Sequence, residues 1–476
     1  MRGPRESPRP VRIVVHTMEG LGARMAGPGI RALRIAEHLS AHAEVRLISS
    51  SRAELDGEAF GVHLADDAQL FDHAAWADVL IQQQPLTTLV PAVLDLDVVV
   101  VSDLYDPFLL EQLQRGLYLD APDSADETSR TVAMVNDMLT HADFIVCASE
   151  KQRDFWLGQL TSLGRINDLT YRADPSLRNL IDVVPFGIDE APPVQERHGI
   201  RGAVEGISET DKVVLWGGGI YDWFDPLTLI RAVESLSRRH DDLRLFFLAT
   251  QHPNPDIGAM RMAVDARTLA ASLGVLGTSV FFNERWVAHD RRADYFLDAD
   301  LGVSTHLDHL ETSFSFRTRL LDYLWAGLPI VNSAGDAFGG VIRDERLGRV
   351  VPPGDVEALE CALEELLYDA DEAARARAAV AAYAPGLRWR TAVAPLLAFC
   401  ANPEPAADRR RLQVAGAAAR EALAIEALAS AGERAALRSD ADALRRRVVE
   451  LESSTSWKVT APLRGLIRAV RPGREH

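Results

Sequence analysis

Short, uninterrupted apolar runs recur along this 476-residue chain, each followed by a segment of helical periodicity, and that alternation restricts the fold more than any other feature. Residues 11–15, 45–48, 77–81, 98–101 and 144–147 read as strands. After the first of them, Ala32, Ile35, Ala36 and Leu39 recur at i, i+3, i+4, i+7, one face of a helix. Strands that are apolar throughout need cover on both faces, as in a parallel α/β sheet. Val184-Pro185-Phe186-Gly187-Ile188-Asp189 and a polar stretch near 190–210 interrupt the series. A second series follows at 212–216, 243–248, 279–282, 301–303 and 330–331. Within it Asp225-Pro226 supplies a capping acid and a proline at the first helical position. The expected fold class is α/β, with two Rossmann-like doubly wound domains, 11–195 and 205–400, facing across a cleft.

The rest of the chain has a different pattern. Residues 405–455 are rich in Ala, Arg, Glu and Leu, and Leu437, Ala441, Leu444, Val448 and Leu451 follow a 4-3-4-3 spacing. A helical, coiled-coil extension is expected there, with self-association through 437–451. Residues 456–476 form a basic amphipathic tail: Lys458, Arg464, Arg468 and Arg471 give charge, Trp457, Leu463, Leu466 and Ile467 an apolar side. Such a segment suits peripheral contact of 457–471 with an anionic membrane, or a short helix docked on its own body.

Bulk properties remove several functions. A net charge of −18 argues against nucleic acid as a partner, because phosphate-backbone binding needs a basic face. The three cysteines, Cys147, Cys361 and Cys400, make neither a metal pair nor a disulfide framework, which suits a reducing compartment. The chain has no run of about 18 apolar residues, and its start lacks the apolar core of a signal peptide. A cytoplasmic location is expected, peripheral at the inner face of the membrane if the tail engages it.

The chemistry concentrates at 313–329, Ser-Phe-Ser-Phe-Arg-Thr-Arg-Leu-Leu-Asp-Tyr-Leu-Trp-Ala-Gly-Leu-Pro. A loop of small residues enters a helix whose first turn holds Arg317, Thr318 and Arg319, with Asp322 one turn later. A helix N-terminus offers unpaired N–H groups and about half a positive charge, a geometry that holds phosphate. A guanidinium adds charge-assisted hydrogen bonds, and a following carboxylate suits ribose hydroxyls. Gly217-Gly218-Gly219 ends one strand and permits close backbone approach. His306, His309 and Glu311 precede the arginine helix; a zinc site needs three or four converging ligands, so donor contacts are expected and no metal. In the first half, Gly27-Pro28-Gly29 opens a helix, and Ser102-Asp103-Leu104-Tyr105-Asp106-Pro107 ends a strand where open α/β sheets bind ligands. Asp103 or Asp106 would orient an acceptor hydroxyl there, or the Asp-Pro pair forms a turn. Asp298-Ala299-Asp300 sits between a helix and a strand and is set aside as a metal motif.

These residues resemble the group 1 glycosyltransferases (family 4), of the GT-B fold and the bacterial polysaccharide-biosynthesis type, over roughly residues 11–400. The family pattern is Glu, seven residues, Glu, then Ala-x-x-x-Gly-x-Pro. Asp322 stands at the second Glu, with Ala326-Gly327-Leu328-Pro329 after it. Phe314 falls on the first, and Glu311 lies three residues earlier as a substitute. The resemblance implies that Asp322 binds ribose, that Thr318 and Arg319 meet the diphosphate, and that Gly27 and Gly29 face donor and acceptor. Val287 and Trp286 would lie at the nucleobase, Trp286 either stacking on it or filling the domain wall. The family's basic residues near Gly218 and Gly219 are missing here, so Arg317 joins Arg319 in supplying charge. Arg319, Glu311 and Asp103 are the expected catalytic residues.

The implied activity is metal-independent, hexosyltransferase-type transfer from a nucleotide-diphosphate sugar to a hydroxyl of a glycan or lipid-linked acceptor. Retention of configuration, no cofactor beyond the donor substrate, and a role in cell-surface polysaccharide synthesis are also implied. The departures at Phe314 and near Ile220 motivate an alternative, a non-catalytic assembly protein that recruits partners through its coiled coil. A nicotinamide-dependent enzyme is disfavoured, because the first strand lacks a Gly-x-Gly-x-x-Gly turn.

Overall fold

A computed structural model describes residues 9–55, 57, 59–117, 121–249, 260–284, 287–412 and 447. The first lobe is built on β1 (Arg12–Thr17), β2 (Glu44–Ser49), β3 (Gly61–Leu64), β4 (Val79–Gln82), β5 (Val99–Asp103), β6 (Phe144–Cys147) and β7 (Ile181–Val183). They form one parallel sheet in the order β3-β2-β1-β4-β5-β6-β7. The strand order reverses beside β1, as in doubly wound folds. Ile13, paired with Val45 on one side and Val79 on the other, is fully buried there. The second lobe uses β8 (Lys212–Trp216), β9 (Leu243–Phe247), β10 (Val280–Phe282), β11 (Leu301–Ser304), β12 (Ile330–Ser333) and β13 (Gly348–Val351). Their order, β10-β9-β8-β11-β12-β13, repeats the same reversal.

Helices that matter for the site are α1 (Gly27–Ser40), α2 (Phe108–Gly116), α3 (Glu150–Ser162), α4 (Pro226–Ser237), α5 (Leu310–Phe314), α6 (Thr318–Trp325) and α7 (Ala394–Ala401). Asp225 caps α4 as its sequence predicts, accepting from the Thr228 backbone N–H at 3.0 Å.

One expected boundary needs correction. The second domain was expected to run to 400 and a separate helical segment to begin at 405, but the chain crosses back to the first lobe. Ile188 and residues 387–389 exchange backbone hydrogen bonds, and Phe399 stacks on Phe144 of β6 at 4.3 Å. Asp408 is wholly buried against the Arg165 guanidinium, at 3.0 and 3.2 Å, and Arg409 pairs with Asp143 at 2.9 Å. Through Phe399, α7 packs on the first lobe, so the second lobe ends before it. The tail at 457–471 and, apart from Arg447, the seam at 437–451 lie outside the described residues. No described helix is long and apolar enough to cross a membrane.

Candidate active site

Each sheet presents the carboxyl ends of its strands to the other lobe. Between them lies a cavity of about 420 Å³, reached from the first lobe by Gly27, Tyr105, Asp106 and Glu111, and from the second by Gly218, Gly219, Val287, Arg319 and Asp322. Its floor on the second-lobe side is the turn after β8. Gly218 there has φ +100°, open to glycine at no steric cost. A Cβ on Gly217 would come within 2.8 Å of Phe296, and its N–H donates to the Tyr323 hydroxyl at 2.7 Å. Tyr323 therefore pins the turn from beneath, against α6.

α6 points its N-terminus at the cavity. No side chain caps its first turn; the Leu320 N–H closes onto the Arg317 carbonyl at 3.1 Å, while that of exposed Thr318 stays open to a ligand. Arg319 is 7 % exposed. Its Nη2 donates to the Gly219 carbonyl at 2.7 Å, and its guanidinium lies 4.0 Å from the Phe224 ring and 4.5 Å from that of Trp216. Its Nη1 is buried without a partner. Burial, with Arg317 nearby, pushes its pKa down to about 10. A buried cation in aromatic surroundings with one idle N–H is poised for an anion.

Arg317 lines the same cavity but is already engaged: it forms a bidentate pair with Glu311 at 2.8 Å on each arm. This corrects the role expected of Glu311. Its carboxylate is 1 % exposed, paired, and outside the cavity lining, because the break between α5 and α6 folds it back onto Arg317. Phe314 packs on Phe155 of α3 at 4.8 Å, and its carbonyl accepts from Gln152 at 3.0 Å. The position where the family has its first Glu is here an interlobe contact.

Asp103 also needs correction. The last residue of β5, it is fully buried and held by Arg31 through three contacts of 2.8–3.0 Å, with Gln83 at 3.1 Å. Strand alternation turns it into the lobe, where it ties α1 to β5. Asp106, three residues on and past the strand end, lines the cavity instead. Burial, then the nearby Glu311 charge, raise its pKa to about 7. Glu111 of α2 is pushed well above the usual carboxylate range by burial, Asp106 and Glu311. Gly29, expected at the donor, is buried against Glu19 and the Gly20 carbonyl and does not line the cavity, whereas Gly27 does.

Asp322 faces the far end of the cavity with Val287. Burial raises its pKa even though Arg292 donates to it at 3.0 Å. Arg292 also reaches Asp189 at 2.5 Å, and Asp189 in turn pairs with Arg34 of α1 at 2.6 Å. That chain of charges runs from the first lobe through the interlobe linker to Asp322. Arg292, His289, Glu19, Tyr221 and Trp223 were not singled out from sequence as site residues for binding, although all line the cavity. Trp286 lies outside the described residues. Among the described residues, no three His, Cys, Asp or Glu side chains are arranged to hold a metal ion.

Comparison with known proteins agrees with this architecture. Residues 211–369 match the family model described as Glycosyl transferases group 1. The whole fold is similar to sucrose-phosphate synthase from Thermosynechococcus elongatus, with TM-score 0.57, 15% identity, and coverage of 81% of this chain and 97% of that one. It is similar to HepE from Anabaena in complex with UDP-glucose, with TM-score 0.55, 13% identity, and coverage of 83% and 99%. A UDP-forming trehalose-phosphate synthase from Burkholderia xenovorans gives TM-score 0.56, 15% identity, and coverage of 83% and 99%. At such identities the likeness establishes the two-lobed GT-B fold. No curated protein matches the chain by sequence.

Proposed function

We propose, from the premise that this chain is a group 1 glycosyltransferase of the GT-B fold, that it transfers a sugar from a nucleotide diphosphate to an acceptor hydroxyl in the interlobe cavity. The observation that carries this is Arg319: a buried guanidinium with an idle Nη1, beside an uncapped helix N-terminus, in a cavity shared by both lobes. Negative charge grows on the departing diphosphate in the transition state, and preorganised donors aimed at it lower the barrier. Arg319, the α6 N–H groups and partly neutralised Arg317 are those donors, so the protein itself meets the charge without a metal ion. Asp322 binds the ribose, giving up part of its contact with Arg292. Asp106, in place of Asp103, orients the acceptor hydroxyl. HepE, of like fold, holds UDP-glucose, which makes a UDP-sugar the first donor to test.

Retention of configuration, a glycan or lipid-linked acceptor and a role in cell-surface polysaccharide synthesis complete the proposal. Membrane contact through 457–471 and self-association through 437–451 are proposals of the same standing. Thermal-shift screening of UDP-, GDP- and dTDP-sugars, followed by hydrolysis and transfer assays on each stabilising ligand, tests the whole. A nucleotide sugar that binds the native state raises its melting temperature by mass action. Stabilisation by none of them sinks the donor site. Stabilisation without turnover would favour the non-catalytic alternative, to which the Glu311–Arg317 pair and the packed Phe314 give some physical support.

A further inference from the structure

We propose that the first-lobe wall of the cavity is a sugar subsite for an acceptor that carries an ammonium group, a proposal that rests on the donor site described above. The cavity's charges do not balance. Asp103 is matched by Arg31, Glu311 by Arg317, and Asp189 with Asp322 by Arg34 and Arg292. What remains is one cation, Arg319, against three carboxylates, Glu19, Asp106 and Glu111, none of which has an ion-pair partner among the described residues.

Uncompensated carboxylates are costly even when only partly buried; Glu19, Asp106 and Glu111 are half-buried, and desolvation raises the pKa of each. A diphosphate entering beside them adds further like charge. The idle, buried Nη1 of Arg319 independently marks the cavity as a ligand site and accounts for the anionic end of that ligand. The carboxylates need a cation of their own.

An aromatic surface adjoins them. The Tyr221 and Trp223 rings stack in parallel, with centroids 5.0 Å apart and planes 5° apart, and both line the cavity. Tyr221 and Trp223 thus share the cavity wall with Arg319, Glu19, Asp106 and Glu111. A flat, partly exposed ring pair suits the apolar face of a pyranose. An ammonium on that sugar would offer N–H donors to a carboxylate of that wall. Those carboxylates are not gathered tightly enough to hold a metal ion.

The test is a series matched at one carbon: methyl 6-amino-6-deoxy-α-glucoside, methyl α-glucoside and methyl α-glucuronide. Each is titrated calorimetrically into the full chain at pH 8 and low salt, with and without UDP, so that UDP binding reports on the donor site separately. The amine should bind about tenfold more tightly than the alcohol, with the uronide weakest, and the Glu19→Gln/Glu111→Gln double variant should erase the ranking. Equal binding of the three, a preference for the uronide, or a ranking that persists in the double variant would overturn the proposal. So would Mg²⁺ tightening UDP in the parent but not in the double variant while the amine shows no advantage.

Discussion

Replacing Arg319 by alanine separates the site's function from its folding. In the free protein the guanidinium makes one hydrogen bond, to the Gly219 carbonyl at 2.7 Å, and two ring contacts, while Nη1 is idle. Ring contacts of a desolvated cation contribute roughly 1–2 kcal/mol. The lost hydrogen bond adds about 1 kcal/mol, and relief of the buried charge, evident in a pKa pushed down to about 10, opposes both. The free variant should therefore melt within a few degrees of the parent. Catalysis should respond far more. In the proposed complex one N–H faces the diphosphate, and removing one such donor typically costs about 10²–10³ in kcat; with N–H groups of α6 still in place, the lower end is expected. The assay is nucleotide release from the donor identified by thermal shift, measured as kcat and KM, beside the melting temperature with and without UDP. Arg319→Lys should fall between, since it keeps the charge but not the forked geometry. Turnover within about threefold of the parent would refute the electrophilic role on the same scale, and loss of fold without ligand would refute the balance of terms.

Asp106→Asn should raise stability at alkaline pH. A carboxyl held at about 7 in the folded chain, against 3.8 as its ordinary value, binds its proton more tightly when folded, so stability falls as pH rises through about 4–7. Melting curves from pH 4 to 9 should show that fall shrinking in the variant, and an unchanged profile would contradict it. Asp408→Ala should destabilise the chain by about 3–5 kcal/mol, because it leaves fully buried Arg165 without its ion partner; urea unfolding measures this, and a loss below about 1 kcal/mol would mean the crossing tail is not anchored there. Tyr323→Phe should cost about 1–3 kcal/mol by stranding the Gly217 N–H, with nucleotide affinity falling alongside, as read by the same unfolding and by UDP titration.

The sheet was legible wherever strands are covered on both faces. β1, β4, β5, β6 and β8 are nearly all buried, and parallel pairing turns that burial into plain apolar runs. β3 escaped because it lies at the sheet edge, with no fully buried residue in Gly61–Leu64. β13 escaped because Gly348-Arg349-Val350-Val351 buries only its ends. The arginine-bearing helix start of the candidate site was legible for a related reason: its parts are adjacent in the chain, so one window contains the motif.

What sequence could not supply is which charges are already spent. Glu311 and Arg317 lie six residues apart across a break between two helices, and no periodicity announces that they meet. Asp103 and Asp106 look equivalent at a strand end, yet one more residue of strand turns the first inward to Arg31 and leaves the second lining the cavity. Arg292 reaches Asp322 across 30 positions and Asp189 across 103. The residues expected to act as free acids are thus the neutralised ones, and the charges left for a ligand are those without an ion-pair partner among the described residues. The same logic accounts for Phe314. With the Glu311 carboxylate turned onto Arg317, an acid at 314 would face the Phe155 ring with no cation in reach in the described contacts, so an aromatic that closes the lobes together is the residue that fits.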